Sequence, residues 1–211
     1  METLTEQTIG SFLETLASSS PTPGGGSVAA MTGAMAAGLV SMVCALTIGK
    51  KQYAEFSDEA QAIQHQALAI QKEFQDLAQA DIDIFGRLSA TYKLPRTTDA
   101  DAASRREAIQ KVTRQAAEVP LRVARTAVSL LPLCVSLARH GNRLVVSDIG
   151  VAVELISATV KSSIINTEVN LVSIEDQHFV RDMRTQLEDI SIGLNDEVNG
   201  VIAIVQERIH S

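Results

Sequence analysis

Residues 57–94 read SDEAQAIQHQALAIQKEFQDLAQADIDIFGRLSATYKL. Apolar residues recur at Ala60, Ile63, Ala67, Ile70, Phe74, Leu77, Ile84 and Leu88, with Asp81 filling the one remaining place in the series. Steps of three and four residues describe one face of a long α-helix, and no strand has that period. Ser57 is the expected N-cap, and Asp58 and Glu59 stand in the first turn, where the helix dipole favours acids. Pro95 marks the end. The odd member of the seam is Asp81. A carboxylate turned inward is costly unless it is paired or hydrogen-bonded. Such groups are either structural polar contacts or active-site acids with shifted pKa values. Asp83 falls on another face and is expected to be solvated.

Upstream of this helix, Pro21-Thr22-Pro23-Gly24-Gly25-Gly26-Ser27 precedes an uncharged run from Val28 to Ile48. A helix is expected over 5–18 from the spacing of Ile9, Phe12, Leu13 and Leu16, and a second over 27–47, capped by Ser27. The glycine loop therefore joins two helices. It is neither a Walker loop nor a dinucleotide fingerprint, because no Gly-Lys-Ser/Thr follows and no strand pattern precedes. Its composition suits either a plain turn or a wall that lets a ligand approach the main chain and the free N–H groups of a helix start. The run 28–48 is long enough to cross a bilayer. It is read as a buried central helix instead, because Ala30, Ala34 and Gly38 form a small-residue stripe suited to close packing.

Downstream, Arg96–Ala103 reads as an irregular polar link, followed by a helix from Ser104 with breaks or kinks at Pro120 and Pro132 and an end at Gly141. A helix is expected over 147–171; its β-branched start, 144–153, leaves a strand as the alternative. A last helix is expected to open at Ser173-Ile174-Glu175-Asp176 and run through Val205. The whole reads as an all-α protein, a single domain over residues 1–211 built as a bundle of long helices. With aromatics at 3% and no Trp, its core must be packed by aliphatic and small side chains. The net charge of −7 speaks against a nucleic-acid partner. Cys44 and Cys134 both sit in apolar context and read as buried thiols of a reducing cytoplasm rather than a disulfide. The N-terminus lacks the basic and apolar regions of a signal peptide. His65, His140, His178 and His210 show no metal-ligand spacing, so no metal site is expected.

Further candidates are polar groups in apolar surroundings or at helix ends. Lys50 and Lys51 follow the apolar helix, where its dipole favours cations. Arg122 and Arg143 are candidates for binding an anionic group. Asp148 stands in a first helical turn, and its face continues through Ala152, Thr159, Ser162, Asn166 and Asn170. Asp148 and Asn166 lie about 27 Å apart on one helix. They serve opposite ends of a long ligand, or a second subunit supplies one of them, or one is structural.

Taken in order, several stretches resemble the cyclodeaminase/cyclohydrolase family of folate enzymes. They are Pro21–Ser27, Thr47–Tyr53, Asp81-Ile82-Asp83-Ile84-Phe85, Glu118-Val119-Pro120-Leu121, Gly141-Asn142 with Ser147-Asp148, and Asn166 with Asn170-Leu171. The resemblance covers nearly the whole chain, although Thr167 and Glu168 stand where the family has an apolar and a basic residue. It implies an all-helical homodimer or higher assembly, a tetrahydrofolate substrate that can carry a polyglutamate tail, and no metal or redox cofactor. A cytoplasmic enzyme without a membrane partner is expected from the two buried thiols and the packed reading of 28–48. Asp81 is then expected as counter-ion and general base, with Lys50 or Lys51 steadying charge and Asp148 and Asn142 bonding the pterin. Pro23, Gly24, Gly25, Gly26, Ser27, Tyr53, Arg122, Arg143 and Asn166 are the expected substrate contacts. The expected reaction is hydrolysis of 5,10-methenyltetrahydrofolate to 10-formyltetrahydrofolate, because no formiminotransferase domain accompanies the chain. The alternatives are ammonia-releasing cyclisation of 5-formiminotetrahydrofolate and a silent helical scaffold.

Overall fold

The computed structural model describes residues 3–210, and among them are eight α-helices and no strand. They are α1 (Ile9–Leu16), α2 (Gly25–Ala45), α3 (Ser57–Tyr92), α4 (Asp99–Val128), α5 (Leu131–His140), α6 (Val146–Leu171), α7 (Gln177–Ser191) and α8 (Leu194–His210). Four long helices form a ring in which α2 packs on α3, α3 on α4, α4 on α6 and α6 back on α2. Helices α5 and α8 cover α6 at one end, and α7 lies along α4.

The register of α2 on α3 can be read from cross-helix neighbours. Gly26 abuts Asp81, Gly33 abuts Phe74, the Gln71 amide donates to the Ala34 carbonyl, and the Gln64 amide to that of Ser41. Rising numbers on α2 meet falling numbers on α3, so the pair is antiparallel. Small residues on α2 let α3 come close. A Cβ on Gly33 would stand 2.5 Å from the Phe74 ring. The apolar run long enough to cross a bilayer is this central helix, with Ala30, Ala36, Ala37, Val40 and Val43 buried against its neighbours. The seam on α3 is buried at Ala60, Ile63, Ala67, Phe74, Leu77 and Ile84, as its period requires. Cys44 and Cys134 are free and buried, and burial pushes both thiols up to about 12.

Several boundaries differ from the sequence reading. Helix α2 begins at Gly25 with Gly24 as N-cap, so Ser27 lies inside the first turn and caps nothing. Helix α1 is shorter than 5–18, and residues 4–6 form a separate 3₁₀ turn. Phe56, rather than Ser57, precedes the first residue of α3. The 96–103 link is mostly helix. Thr98 and Asp101 close a reciprocal capping box, which starts α4 before Ser104. Pro120 interrupts nothing, since α4 runs through it to Val128, and Pro132 sits in the first turn of α5, where proline is tolerated. The stretch 144–153 is a 3₁₀ turn and the start of α6, not a strand. The last expected helix is two helices. Gly193, at φ +75°, separates α7 from α8, and Asp176 rather than Ser173 caps α7 through the N–H groups of His178 and Phe179.

Candidate active site

The first turn of α2 meets the later half of α3 with almost no space between them. A Cβ on Gly26 would lie 2.1 Å from Asp81 Oδ1, far inside any allowed contact, so only glycine fits beside this carboxylate. Ser27, one residue on and fully buried, donates its hydroxyl to Asp81 Oδ2 at 2.8 Å. The hydroxyl thus serves a tertiary contact. Asp81 therefore sits against the N-terminal end of α2, where free N–H groups and the dipole favour negative charge. Burial raises the Asp81 carboxyl above its ordinary range, and the Ser27 hydroxyl and backbone N–H pull it part of the way back. A half-buried carboxylate held this way, with its affinity for a proton increased, is suited to passing protons.

Asp81 opens onto a cavity of about 440 Å³. Its walls come from the glycine loop (Pro21, Thr22, Gly24, Gly25, Gly26), from α3 (Asp81, Ile84, Phe85, Leu88, Tyr92), from α4 (Thr113, Ala116, Pro120) and from the C-terminal part of α6 (Asn166, Val169, Asn170) with Ser173. The size and the mixture of apolar wall and few polar groups suit a small organic ligand. Pro120 explains one polar wall. Proline has no N–H for the carbonyl four residues back, which leaves that of Ala116 free. The Asn170 amide takes its place, donating to Ala116 O at 3.1 Å and to Asn166 O at 3.0 Å. Asn166 in turn donates to Ser162 O at 2.9 Å. Asn166 Oδ1 faces Gly25, 3.2 Å from where a Cβ would stand. The two departures from the family pattern point elsewhere. Thr167 bonds Ser163 O, and Glu168 pairs with Arg184 of α7.

The structure brings together Gly24, Gly25, Gly26, Asp81 and Asn166 of the expected site, with Ser27 behind Asp81 and Pro23 buried beside the loop. It does not bring the others there within one chain. Lys50, Lys51 and Tyr53 follow the opposite end of α2, a helix of 21 residues and so about 31 Å long. The Tyr53 hydroxyl accepts the Arg143 N–H at 3.0 Å, and the Arg143 Nε donates to Arg208 O at 2.8 Å. Asn142 is 1% exposed, and its amide donates to Leu46 O at 2.7 Å while its Oδ1 accepts from Leu144 N at 3.1 Å. Asn142 is thus a staple between the ends of α2 and α5, not an open ligand contact. Asp148 is at the start of α6, at this same end. Arg122 is on the outside of α4, 3.5 Å from Glu73, and does not line the cavity. The polar face expected along α6 is partly an internal seam, in which the buried hydroxyls of Thr159, Ser163 and Thr167 bond carbonyls one turn back. Asn170, on the polar face read from the sequence, lines the cavity, and so do Tyr92, Thr113 and Ser173, which no sequence argument selects as contacts. Among the described residues, no group of three or more His, Cys, Asp or Glu is placed to hold a metal.

Residues 8–189 match the family model described as formiminotransferase-cyclodeaminase. A methenyltetrahydrofolate cyclohydrolase of Methylorubrum extorquens is 38% identical over 184 residues, which cover 87% of this chain and 88% of that protein. A formimidoyltransferase-cyclodeaminase of Sus scrofa is 31% identical over 210 residues, and there the match spans only 38% of the longer protein. The crystal structure of a formiminotetrahydrofolate cyclodeaminase from Thermotoga maritima superposes with a TM-score of 0.81 at 28% identity, covering 98% of this chain and 97% of that one.

Proposed function

The chain belongs to the formiminotransferase-cyclodeaminase family, and from that premise we propose that it is a folate one-carbon enzyme, a methenyltetrahydrofolate cyclohydrolase. One observation carries the reading: a half-buried carboxylate, Asp81, pinned by Ser27 at a helix start and open to a ligand-sized cavity. The 38% identity to a cyclohydrolase over most of both chains favours that reaction.

In 5,10-methenyltetrahydrofolate the bridge between N5 and N10 is a cationic amidinium. Ionised Asp81 is its counter-ion and takes a proton from water as the water oxygen bonds to the bridge carbon. The cation becomes a neutral tetrahedral adduct. The C–N5 bond then breaks as the adduct hydroxyl loses its proton and N5 gains one, which leaves the formyl group on N10. One water is consumed and one proton is released. General base catalysis of this kind contributes about 10²–10⁴-fold. The carbonyl oxygen of the Asn166 side chain and the free N–H groups at the start of α2 border the same space and orient the ligand. No further cofactor is required by this route.

The second reading is ammonia-releasing cyclisation of 5-formiminotetrahydrofolate, favoured by the likeness to the Thermotoga protein. There N10 attacks the formimino carbon, and the leaving ammonia takes a proton that Asp81 can supply. Methenyl absorbance separates the readings. Its enzyme-dependent loss from methenyltetrahydrofolate supports the cyclohydrolase. Its appearance from formiminotetrahydrofolate supports the cyclodeaminase, and no change with either substrate refutes both.

The reading extends to a homodimer. Met35 and Met42 on α2, Leu46 at its C-cap, and Val151, Ile165 and Val169 on α6 are exposed apolar residues on or beside two helices that pack side by side. A two-fold axis crossing the middle of α2 would set the Lys50–Tyr53 end of one copy beside the Gly25 end of the other. Lys50, Lys51, Arg143 and Asp148 would then reach the cavity from the second subunit. Light scattering of wild type against Met35→Lys tests this, with a loss of dimer expected in the variant and an unchanged mass refuting it. We place the enzyme in the cytoplasm, without membrane or nucleic-acid partner, a view supported by the net charge of −7 and the two free thiols.

A further inference from the structure

We propose that Arg105 is the anchor for the carboxylates of the substrate's glutamate tail. The inference rests on the folate reading and names the part of the ligand that reading leaves unplaced. A folate has its carboxylates at the end remote from the reacting bridge, with the p-aminobenzoyl ring and an amide between. A cavity with Asp81 at the bridge should therefore offer a cation at its far end.

The far end is reached along α3. Tyr92 is 11 residues beyond Asp81 on the same helix, about 16 Å away, and is the last α3 residue lining the cavity. Arg105 of α4 lies over the Tyr92 ring, with its guanidinium carbon 5.8 Å from the ring centroid, and donates to the Tyr92 carbonyl at 3.1 Å. These contacts fix a planar cation just outside the cavity lining, against Tyr92 at its end, and use few of its five N–H donors. Its Nε is buried without a hydrogen-bond partner.

No carboxylate neutralises Arg105 among the described residues. Asp101 stands four residues earlier on α4, at the spacing of a helical ion pair, but its carboxylate is turned back to Thr97 and Thr98. Those hydroxyl and N–H contacts hold the Asp101 carboxyl below its ordinary range. The acids that follow Ser173 are also engaged, Glu175 by Arg106 and Asp176 by Arg114. Arg105 is thus an unpaired, preorganised guanidinium behind an aromatic wall, which is chemistry suited to a carboxylate. The two arginines expected from sequence are elsewhere, Arg122 beside Glu73 and Arg143 on the Arg208 carbonyl.

The test is binding of mono- and triglutamyl 5-formyltetrahydrofolate by calorimetry to wild type, Arg105→Glu and Arg105→Lys. KM, kcat and Tm are measured alongside. A hydrogen bond to a charged group predicts at least about tenfold weaker triglutamyl binding in R105E, with KM raised and kcat held. R105K should recover part of the loss. Unchanged Kd and KM in R105E, or a fall in Tm and kcat with no change in Kd, overturns the anchor and leaves Arg105 as a cap on α3. A wild-type protein that neither binds nor converts folates refutes the folate reading itself, and the anchor with it.

Discussion

Gly26→Ala is the sharpest perturbation the fold offers. The added Cβ would stand 2.1 Å from Asp81 Oδ1, 2.5 Å from its Cγ and 2.8 Å from Oδ2. An ordinary contact of this kind needs about 3.4 Å or more, so the carboxylate must retreat by roughly 1 Å or α2 must part from α3. Either movement breaks the 2.8 Å bond from Ser27. A misplacement of about 1 Å at a reacting group costs on the order of 10²-fold in rate, or about 2.7 kcal/mol of barrier. Losing the hydrogen bond to a charged group costs up to about 3 kcal/mol of stability, or about 6–12 °C in Tm. The assay is methenyl decay under saturating substrate, with circular dichroism to confirm retained helix. A variant with wild-type turnover and Tm would refute the reasoning, because it would show that Asp81 has room the structure denies it.

Four other outcomes follow from the structure. Asp81→Asn should lower turnover by about 10²–10⁴-fold while the fold persists, since the amide can still accept from Ser27. Burial raises the Asp81 carboxyl from its usual 3.8, so its contribution to stability is full below that pH and is lost as pH rises through the raised value. The Asn variant should therefore melt above wild type at pH 7.5, and the gap should narrow toward pH 4.5; a constant gap would argue against a burial penalty. Gly86→Ala should raise Tm by about 2–4 °C, as a helical glycine whose new Cβ meets nothing within 4 Å, and a lower Tm would contradict this. Cys44 and Cys134, held near 12 by burial, should resist a thiol-reactive dye in the native protein and react once it is denatured.

What was legible in the chain was periodic. The α3 seam predicted both a long helix and an inward Asp81, because a 3.6-residue repeat maps directly onto a face. The glycine loop is legible as a helix start, though not with its true cap. Ser27 has the composition of an N-cap, but Gly24 takes that place and the hydroxyl answers a carboxylate 54 residues away. Local propensity cannot see such a partner. The same limit hid the pairing of Pro120 with Asn170, since a proline in sequence looks like a break until a distant amide satisfies the freed carbonyl. Gly193 gives no break in the sequence pattern, because Ile190 and Leu194 keep the apolar spacing across it. Arg105 carries no periodic signal, and only the fold sets it above Tyr92. The six residues from Lys50 to Asp148 formed a chemical set on paper. In the fold they gather at the end of α2 opposite Asp81, where a single chain cannot use them with it.

The claim on which the rest depends is that Asp81 in this cavity opens the methenyl bridge. Methenyl decay followed for wild type and Asp81→Asn side by side, at equal concentration and neutral pH, tests it most directly. The account predicts enzyme-dependent loss of absorbance with wild type and a rate lower by about 10²-fold or more with the variant, at unchanged helix content. Equal rates for the two proteins would contradict it.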